Sequence, residues 1–234
     1  ATFSVRDVHF SHYSRFCPVT TPEGTPIGIS LHMALYSRIN EYGFIEVPYV
    51  RVLQKAKNAK KYLIGRIPLE DVAKPGSKTI LAKAGEVIDE KTADQIIKEK
   101  KIKDVPVQSY RSDEIIWLDP SDEKNYVATM STVDMDEHGN LTGQLVSVRA
   151  EGHFFLRPVQ EVQVMDVVPS QVCGVGMSAL PGVPCDDPAR ALMASNMQRQ
   201  SVPLLKPMSP VVGTGYELPI AEQSGWAVYA EDEG

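Results

Sequence analysis

Long apolar runs are missing from this sequence. No stretch could cross a bilayer and no signal-peptide pattern occurs, so neither a membrane partner nor secretion is expected. Cysteine is scarce: Cys17, Cys173 and Cys185 form no CxxC and leave an odd thiol. That excludes a disulfide scaffold and fits a reduced, cytoplasmic setting. An excess of positive charge is also missing, with 24 Lys and Arg against 30 Asp and Glu and a net charge of −6. A stand-alone nucleic-acid binder needs phosphate neutralisation. Any nucleic-acid contact must therefore be local, through a few arginines, with the rest of a basic channel supplied elsewhere.

Complete catalytic constellations are missing too. His9 and His12 have HxxH spacing but no nearby thiol or clear third ligand, and no metal site is expected there. Asp134 and Asp136 share a turn that reads more readily as a solvated acidic hairpin than as a cation site. Gly174-Val175-Gly176 lacks the lysine of a phosphate loop. Cys185, flanked by aspartates, lacks the cationic setting that activates a thiolate. Asp186 and Asp187 suit helix capping better than acid–base work. No catalytic residue and no bound metal is expected in this chain.

What is present begins with Asp186–Pro203. Asp187 followed by Pro188 predicts an N-cap with proline at the first helical position, where its missing N–H costs nothing. Helical spacing then aligns Ala189, Leu192, Met193, Asn196, Met197 and Gln200 on one side. Two carboxamides on such a face need partners. Arg190 lies in the first turn, where its forked donors suit paired phosphate oxygens. The competing expectations are an ion pair between Arg190 and Asp186, and amides that only clamp the structure. A second helix is predicted over 27–42, with Thr25 as cap and Pro26 at its start. Its core stripe would be Ile27, Leu31, Ala34, Leu35 and Ile39, with Gly43 just past the end.

The chain has room for one large domain or two small ones. We divide it into 1–52, with a strand over 44–52; 53–110, a small β-rich module opening on Lys55, Lys57, Lys60 and Lys61; 111–164, an outer β-rich part; and 165–234, which carries the Asp187 helix. In the module, strands are expected over 62–67, 79–88 (broken at Gly85) and 102–107, with a helix from Asp89 to about Lys100. In the outer part, strands are expected over 125–133 and 143–150, with Phe154, Phe155 and Leu156 buried. The fold class is mixed α+β, strand-dominated.

The run Asp186–Pro203 with Pro210-Val211-Val212-Gly213-Thr214-Gly215 resembles the β subunit of bacterial DNA-directed RNA polymerase. Independently, Val5–Pro18, Thr21-Pro22-Glu23-Gly24 and Asn40-Glu41-Tyr42-Gly43-Phe44 resemble the β-subunit segment that follows its fork loop. The resemblance implies an internal fragment, inactive alone, that walls the active-centre cleft during DNA-templated RNA synthesis. It implies that Arg190 contacts the incoming NTP, and that Glu23, Asn196, Arg199 and Gln200 line the cleft. Arg15 and His9 would lie on the fork side, within reach of nucleic-acid phosphates. Mg2+ would be held by the partner (β′) subunit, and the other partners would be α, ω, sigma factor, template DNA and nascent RNA.

Two departures stand out. Thr25-Pro26 replaces the family's proline and asparagine after Pro-Glu-Gly, and Pro188 replaces an asparagine before the arginine. Most of the family's rifamycin pocket would precede Ala1. The 53–110 module resembles, more weakly, sandwich-barrel-hybrid inserts of bacterial polymerases and reads as a lineage-specific insert. The alternative function is a protein-interaction module that docks a transcription factor through that insert. An independent hydrolase is a third reading, which would require turnover by the chain alone.

Overall fold

Buried strands and many short turns dominate the computed structural model, which describes residues 2–77 and 79–230. In chain order the elements are β1 (Arg38–Ile39), β2 (Ile45–Lys57), α1 (Lys60–Leu63), β3 (Val72–Ala73), β4 (Ile80–Ala82), α2 (Glu90–Lys98), β5 (Asp104–Leu118) and α3 (Pro120–Glu123). There follow β6 (Ala128–Thr129), β7 (Leu145–Ala150), β8 (His153–Pro158), β9 (Val164–Asp166), α4 (Val175–Ser178), α5 (Pro188–Gln198) and α6 (Glu217–Gln223). Strand-rich mixed α+β is the observed class. The chain divides into unit 1, residues 1–47 and 170–234, and unit 2, residues 48–169.

In unit 1 the segment 27–42 is not a helix, and the reason is where its backbone groups go. Arg6 donates to the carbonyls of Thr25 and Ile27, and Thr21 Oγ1 accepts the Gly28 N–H. Cys17 N donates to His32 O, Ala34 N to Arg15 O, and Leu35 N to Cys173 O. With these groups engaged at long range, the i→i−4 ladder of a helix cannot form. Gly28 has φ +78°, and a Cβ there would lie 2.7 Å from Arg6 O, so only glycine fits. Of the expected stripe only Ala34 is buried, while Ile27, Leu31 and Ile39 are exposed. β1 pairs with the first residues of β2 (Arg38↔Glu46, Ile39↔Ile45), and Asn40 Oδ1 accepts the Tyr42 and Phe44 amides across the turn. Gly43 is left-handed as expected, but it closes this hairpin rather than a helix.

Unit 2 is built on antiparallel pairing of β2 with β9 (Tyr49↔Asp166, Val50↔Met165, Arg51↔Val164). From there β6 runs parallel to β9, and β7 and β8 follow antiparallel, while β5 also pairs with β2. One apolar cluster gathers Ala56, Leu63, Ala82, Ile88, Ala93, Ile96, Val105, Val107 and Tyr110, all from the span 56–110. A second holds Val52, Leu141, Val146, Val148, Val159, Val162 and Met165. The α2 helix follows its expectation, with Asp89 as N-cap and Ala93 and Ile96 buried.

Other expectations for unit 2 are corrected. Residues 60–63 are helical, because the Ala59 carbonyl accepts the Tyr62 and Leu63 amides. β4 pairs with β3 instead of with 86–88, whose Ile88 bonds Gly65 and Arg66. Within 125–133 only Ala128 and Thr129 form a strand. Phe154, Phe155 and Leu156 are exposed, because β8 is the last strand of its sheet and pairs only with β7.

Arg149 ties the sheet of unit 2 together. It is 7% exposed and donates to Tyr49 Oη at 2.8 Å and to Glu123 Oε1 at 3.3 Å, with Asp166 Oδ1 at 3.6 Å. A buried cation with two carboxylates cannot lose one partner cheaply. Arg149→Met is expected to destabilise unit 2 by about 3–5 kcal/mol in urea denaturation, because Asp166 is left uncompensated. Arg149→Met combined with Asp166→Leu should recover part of that loss.

The acidic turn responds to pH. Burial alone would raise the Asp136 carboxyl, but bonds from the Asn140 side chain (2.6 Å) and the amides of Asn140 (2.8 Å) and His138 (2.9 Å) hold it below the ordinary range. A depressed carboxylate stabilises the fold above its unfolded value and loses that contribution as pH falls through the lower folded value. Denaturation midpoints should therefore fall below about pH 4, and Asp136→Asn should flatten that dependence while lowering stability at neutral pH.

Candidate active-centre cleft

The α5 helix starts where the sequence places it. Asp187 Oδ2 accepts the amides of Ala189 (3.1 Å) and Arg190 (3.3 Å), with Pro188 in the first turn. Asp186 Oδ1 takes the Asp187 amide at 2.8 Å, so its side chain also serves the cap. The buried face differs from the expected one. Ala191, Ser195 and Asn196 are buried, while Ala189, Met197 and Gln200 are exposed. The cause is a close approach on the other side: Ser195 Oγ meets Thr20 Oγ1 at 2.8 Å, and a Cβ on Gly176 of α4 would lie 2.4 Å from Ser195 Oγ. Only glycine at 176 lets α4 come so near.

Turning the helix by this amount leaves its other side to form a cleft of about 480 Å³. Pro22, Glu23, Met193, Asn196, Met197, Arg199 and Gln200 line it. Four residues expected together on the resemblance, Glu23, Asn196, Arg199 and Gln200, thus share one concavity. Asn196 is its hub and only 8% exposed. Its Nδ2 donates to Thr21 O at 3.0 Å and reaches Glu23 Oε1 at 3.4 Å, while its Oδ1 accepts from Arg199. The other Arg199 terminal nitrogen lies 2.8 Å from His32 Nε2. Glu23 therefore meets an amide rather than an arginine.

Arg190 does not line this cleft. It stands exposed at the helix start, with one guanidinium nitrogen 3.4 Å from Met193 Sδ. Among the described residues no carboxylate pairs with it, so the anticipated ion pair with Asp186 is not formed. The guanidinium is exposed next to the positive end of α5.

Arg15 is corrected. It is 1% exposed and donates to Ile45 O (3.0 Å) and Ser11 O (3.2 Å), so it clamps unit 1 from inside instead of facing phosphates. His9 is exposed and engaged locally: its Nδ1 accepts the Ser11 amide, and its own amide donates to His12 Nδ1. The two histidines cap one 3-10 turn (Phe10–His12). Burial, and then the proximity of His9, lowers the His12 pKa. Burial, and then the proximity of Cys17, raises the Cys173 thiol. Among the described residues no three His, Cys, Asp or Glu side chains gather as metal ligands, and no helix is long and apolar enough to cross a membrane.

Sequence reasoning missed His32. It falls in the segment read as helix, and only the long-range Cys17–His32 backbone bond brings it to Arg199. The Thr21 carbonyl is equally invisible in sequence, since a backbone acceptor carries no residue signature.

Comparison with known proteins gives the chain's relatives. Residues 1–39 match the family described as RNA polymerase Rpb2, domain 3, and residues 95–168 match the RNA polymerase beta subunit external 1 domain. The DNA-directed RNA polymerase subunit beta of Dehalococcoides mccartyi is 39% identical over 234 residues, covering 100% of this chain and 18% of the relative. The subunits of Chloroflexus aggregans and Clostridium botulinum are each 36% identical across the whole chain, which covers 22% and 15% of their lengths. The chain thus spans about a fifth of the relatives it matches, and the matches run through residues 53–110 as well. Two family matches and 36–39% identity along the whole of this chain support its being a fragment of the β subunit of a bacterial DNA-directed RNA polymerase.

Proposed function

We propose that this chain forms one wall of the active-centre cleft of the assembled polymerase, positioning the incoming NTP and nucleic acid during RNA synthesis, and that it is inactive alone. The observation that carries the reading is the convergence of Glu23, Asn196, Arg199 and Gln200 on one cleft of a helix whose capped start bears Arg190, which no carboxylate pairs with among the described residues. Phosphoryl transfer spreads negative charge over non-bridging oxygens, so fixed cations at that point lower its barrier. Arg190 supplies a forked donor to the triphosphate. Asn196 fixes Arg199, so that a second cation stands at a constant place in the wall. His9, on the exposed surface of the first segment, faces nucleic acid on the fork side.

The donor set here does not suit a divalent cation, because Asp186 and Asp187 direct oxygens to backbone amides. The family resemblance implies that Mg2+ is held by aspartates of the partner (β′) subunit, and no step through it is derived from this chain. The remaining partners in the proposal are α, ω, sigma factor, template DNA and nascent RNA.

Single-nucleotide addition by the assembled polymerase tests the role of Arg190. A charge-assisted bond contributes about 1.5–3 kcal/mol, so Arg190→Ala should lower kcat/KM for the NTP by about ten- to a hundredfold. Arg190→Lys should recover only part, because an ammonium keeps the charge without the fork. Unchanged kinetics in both variants would reduce Arg190 to a surface residue of the α5 cap.

A further inference from the structure

Charge is distributed unevenly along the chain. Residues 53–110 hold 13 Lys and Arg against 8 Asp and Glu, a balance of +5 in a chain whose total is −6. Part of this positive charge is neutralised locally. Lys60 bonds Glu90 at 2.5 Å and lies 3.5 Å from Asp94, Lys74 bonds Glu99 at 2.8 Å, and Lys83 approaches Glu86 at 4.0 Å.

Five of the remaining ten cations collect at one edge. Asn58, just after β2, donates its amide to Lys103 O at 3.0 Å. Its side-chain Nδ2 reaches the carbonyls of Ile96 (3.4 Å), Glu99 (3.4 Å) and Ile102 (2.8 Å), closing the C-terminal end of α2. This clamp holds Lys57 beside the turn that carries Lys98, Lys100, Lys101 and Lys103. All five lysines are exposed, and among the described residues none is in an ion pair. The one carboxylate inside the 98–103 run, Glu99, is taken by Lys74.

Favourable placement of cations near a helix C-terminus accounts for Lys98 and Lys100, since the dipole effect fades within the last turn. It does not account for Lys57 and Lys103, which lie on strands or at their margins. Protein-binding surfaces are depleted in lysine and centre on buried aromatic or arginine anchors, which this edge lacks. Lysine is instead a compact point charge suited to phosphate oxygens.

We infer that the edge formed by Lys57, Lys98, Lys100, Lys101 and Lys103 is a sequence-independent docking surface for the phosphate backbone of duplex DNA. It lies in unit 2, apart from the residues of the active-centre reading, and stands or falls separately from it.

The test uses the assembled polymerase and a fluorescently labelled linear duplex, with binding measured across a salt titration. Each lysine that neutralises a phosphate contributes about 0.9 to the slope of log K against log salt. The combined variant Lys57→Gln, Lys98→Gln, Lys101→Gln and Lys103→Gln should therefore lose about 3–4 from that slope and weaken binding at least tenfold at low salt. The paired Lys60→Gln and Lys83→Gln should change it less than twofold, and NTP addition on a preassembled short scaffold should be unaffected. Lys101→p-benzoylphenylalanine should photocrosslink to the DNA. An unchanged slope overturns the inference. So does a crosslink confined to polypeptide, which would make the edge a factor-docking surface, and so does the absence of any crosslink.

Discussion

The cleft depends on a single buried amide. Asn196 cannot enter the interior of unit 1 unless both ends of its carboxamide are satisfied. The Thr21 carbonyl and the Arg199 guanidinium meet that demand. Because those partners come from opposite ends of the sequence, satisfying one side chain fixes three things together. They are the position of the Pro22–Glu23 turn, the direction of Arg199 and the rotation of α5. The Ser195–Thr20 contact and the bare Gly176 complete that rotation, since any side chain at 176 would push α5 away.

Unit 2 solves a comparable problem with charge. Arg149 is buried among Tyr49, Glu123 and Asp166, which come from β2, α3 and β9, so the sheet order is recorded in one guanidinium. Around it, apolar burial is split between two clusters, one drawn only from residues 56–110. The second of these draws on β2, β7 and β9. Arg66 adds a further polar link within the unit, donating to His138 O and Asn140 Oδ1 while stacking 3.7 Å above the Tyr110 ring. Burial lowers the Arg66 pKa, although the guanidinium stays charged throughout the physiological range. Specific polar contacts of this kind define one arrangement where apolar packing alone would tolerate several.

How much was legible in the sequence varied with the range of the interactions involved. The α5 and α2 starts were readable because an N-cap is a local event, an aspartate just before the helix, which at α5 accepts the Ala189 and Arg190 amides and at α2 makes no such side-chain bond. The 27–42 segment misled because its apolar spacing fits a helix, while its backbone groups are claimed by Arg6, Cys17, Arg15 and Cys173. Phe154, Phe155 and Leu156 misled for a related reason: an apolar strand reads as buried until the sheet order shows that it is an outer strand. In the cleft, the residue types were legible through resemblance. The burial of Arg15 and the contribution of His32 were not, since both rest on backbone pairing between distant segments.

By itself, then, the sequence determined the family, the strand-rich mixed class, the capped helix at Asp187 and the residue types now found around the cleft. Each is carried by local chemistry or by a long motif, and neither needs a tertiary partner to be recognised. Tertiary structure alone decided which face of α5 is buried, that Arg190 stands open while Arg15 is enclosed, and that Lys57 meets the 98–103 turn. Those outcomes depend on which distant carbonyl or hydroxyl reaches each polar group first, and no local pattern encodes that competition.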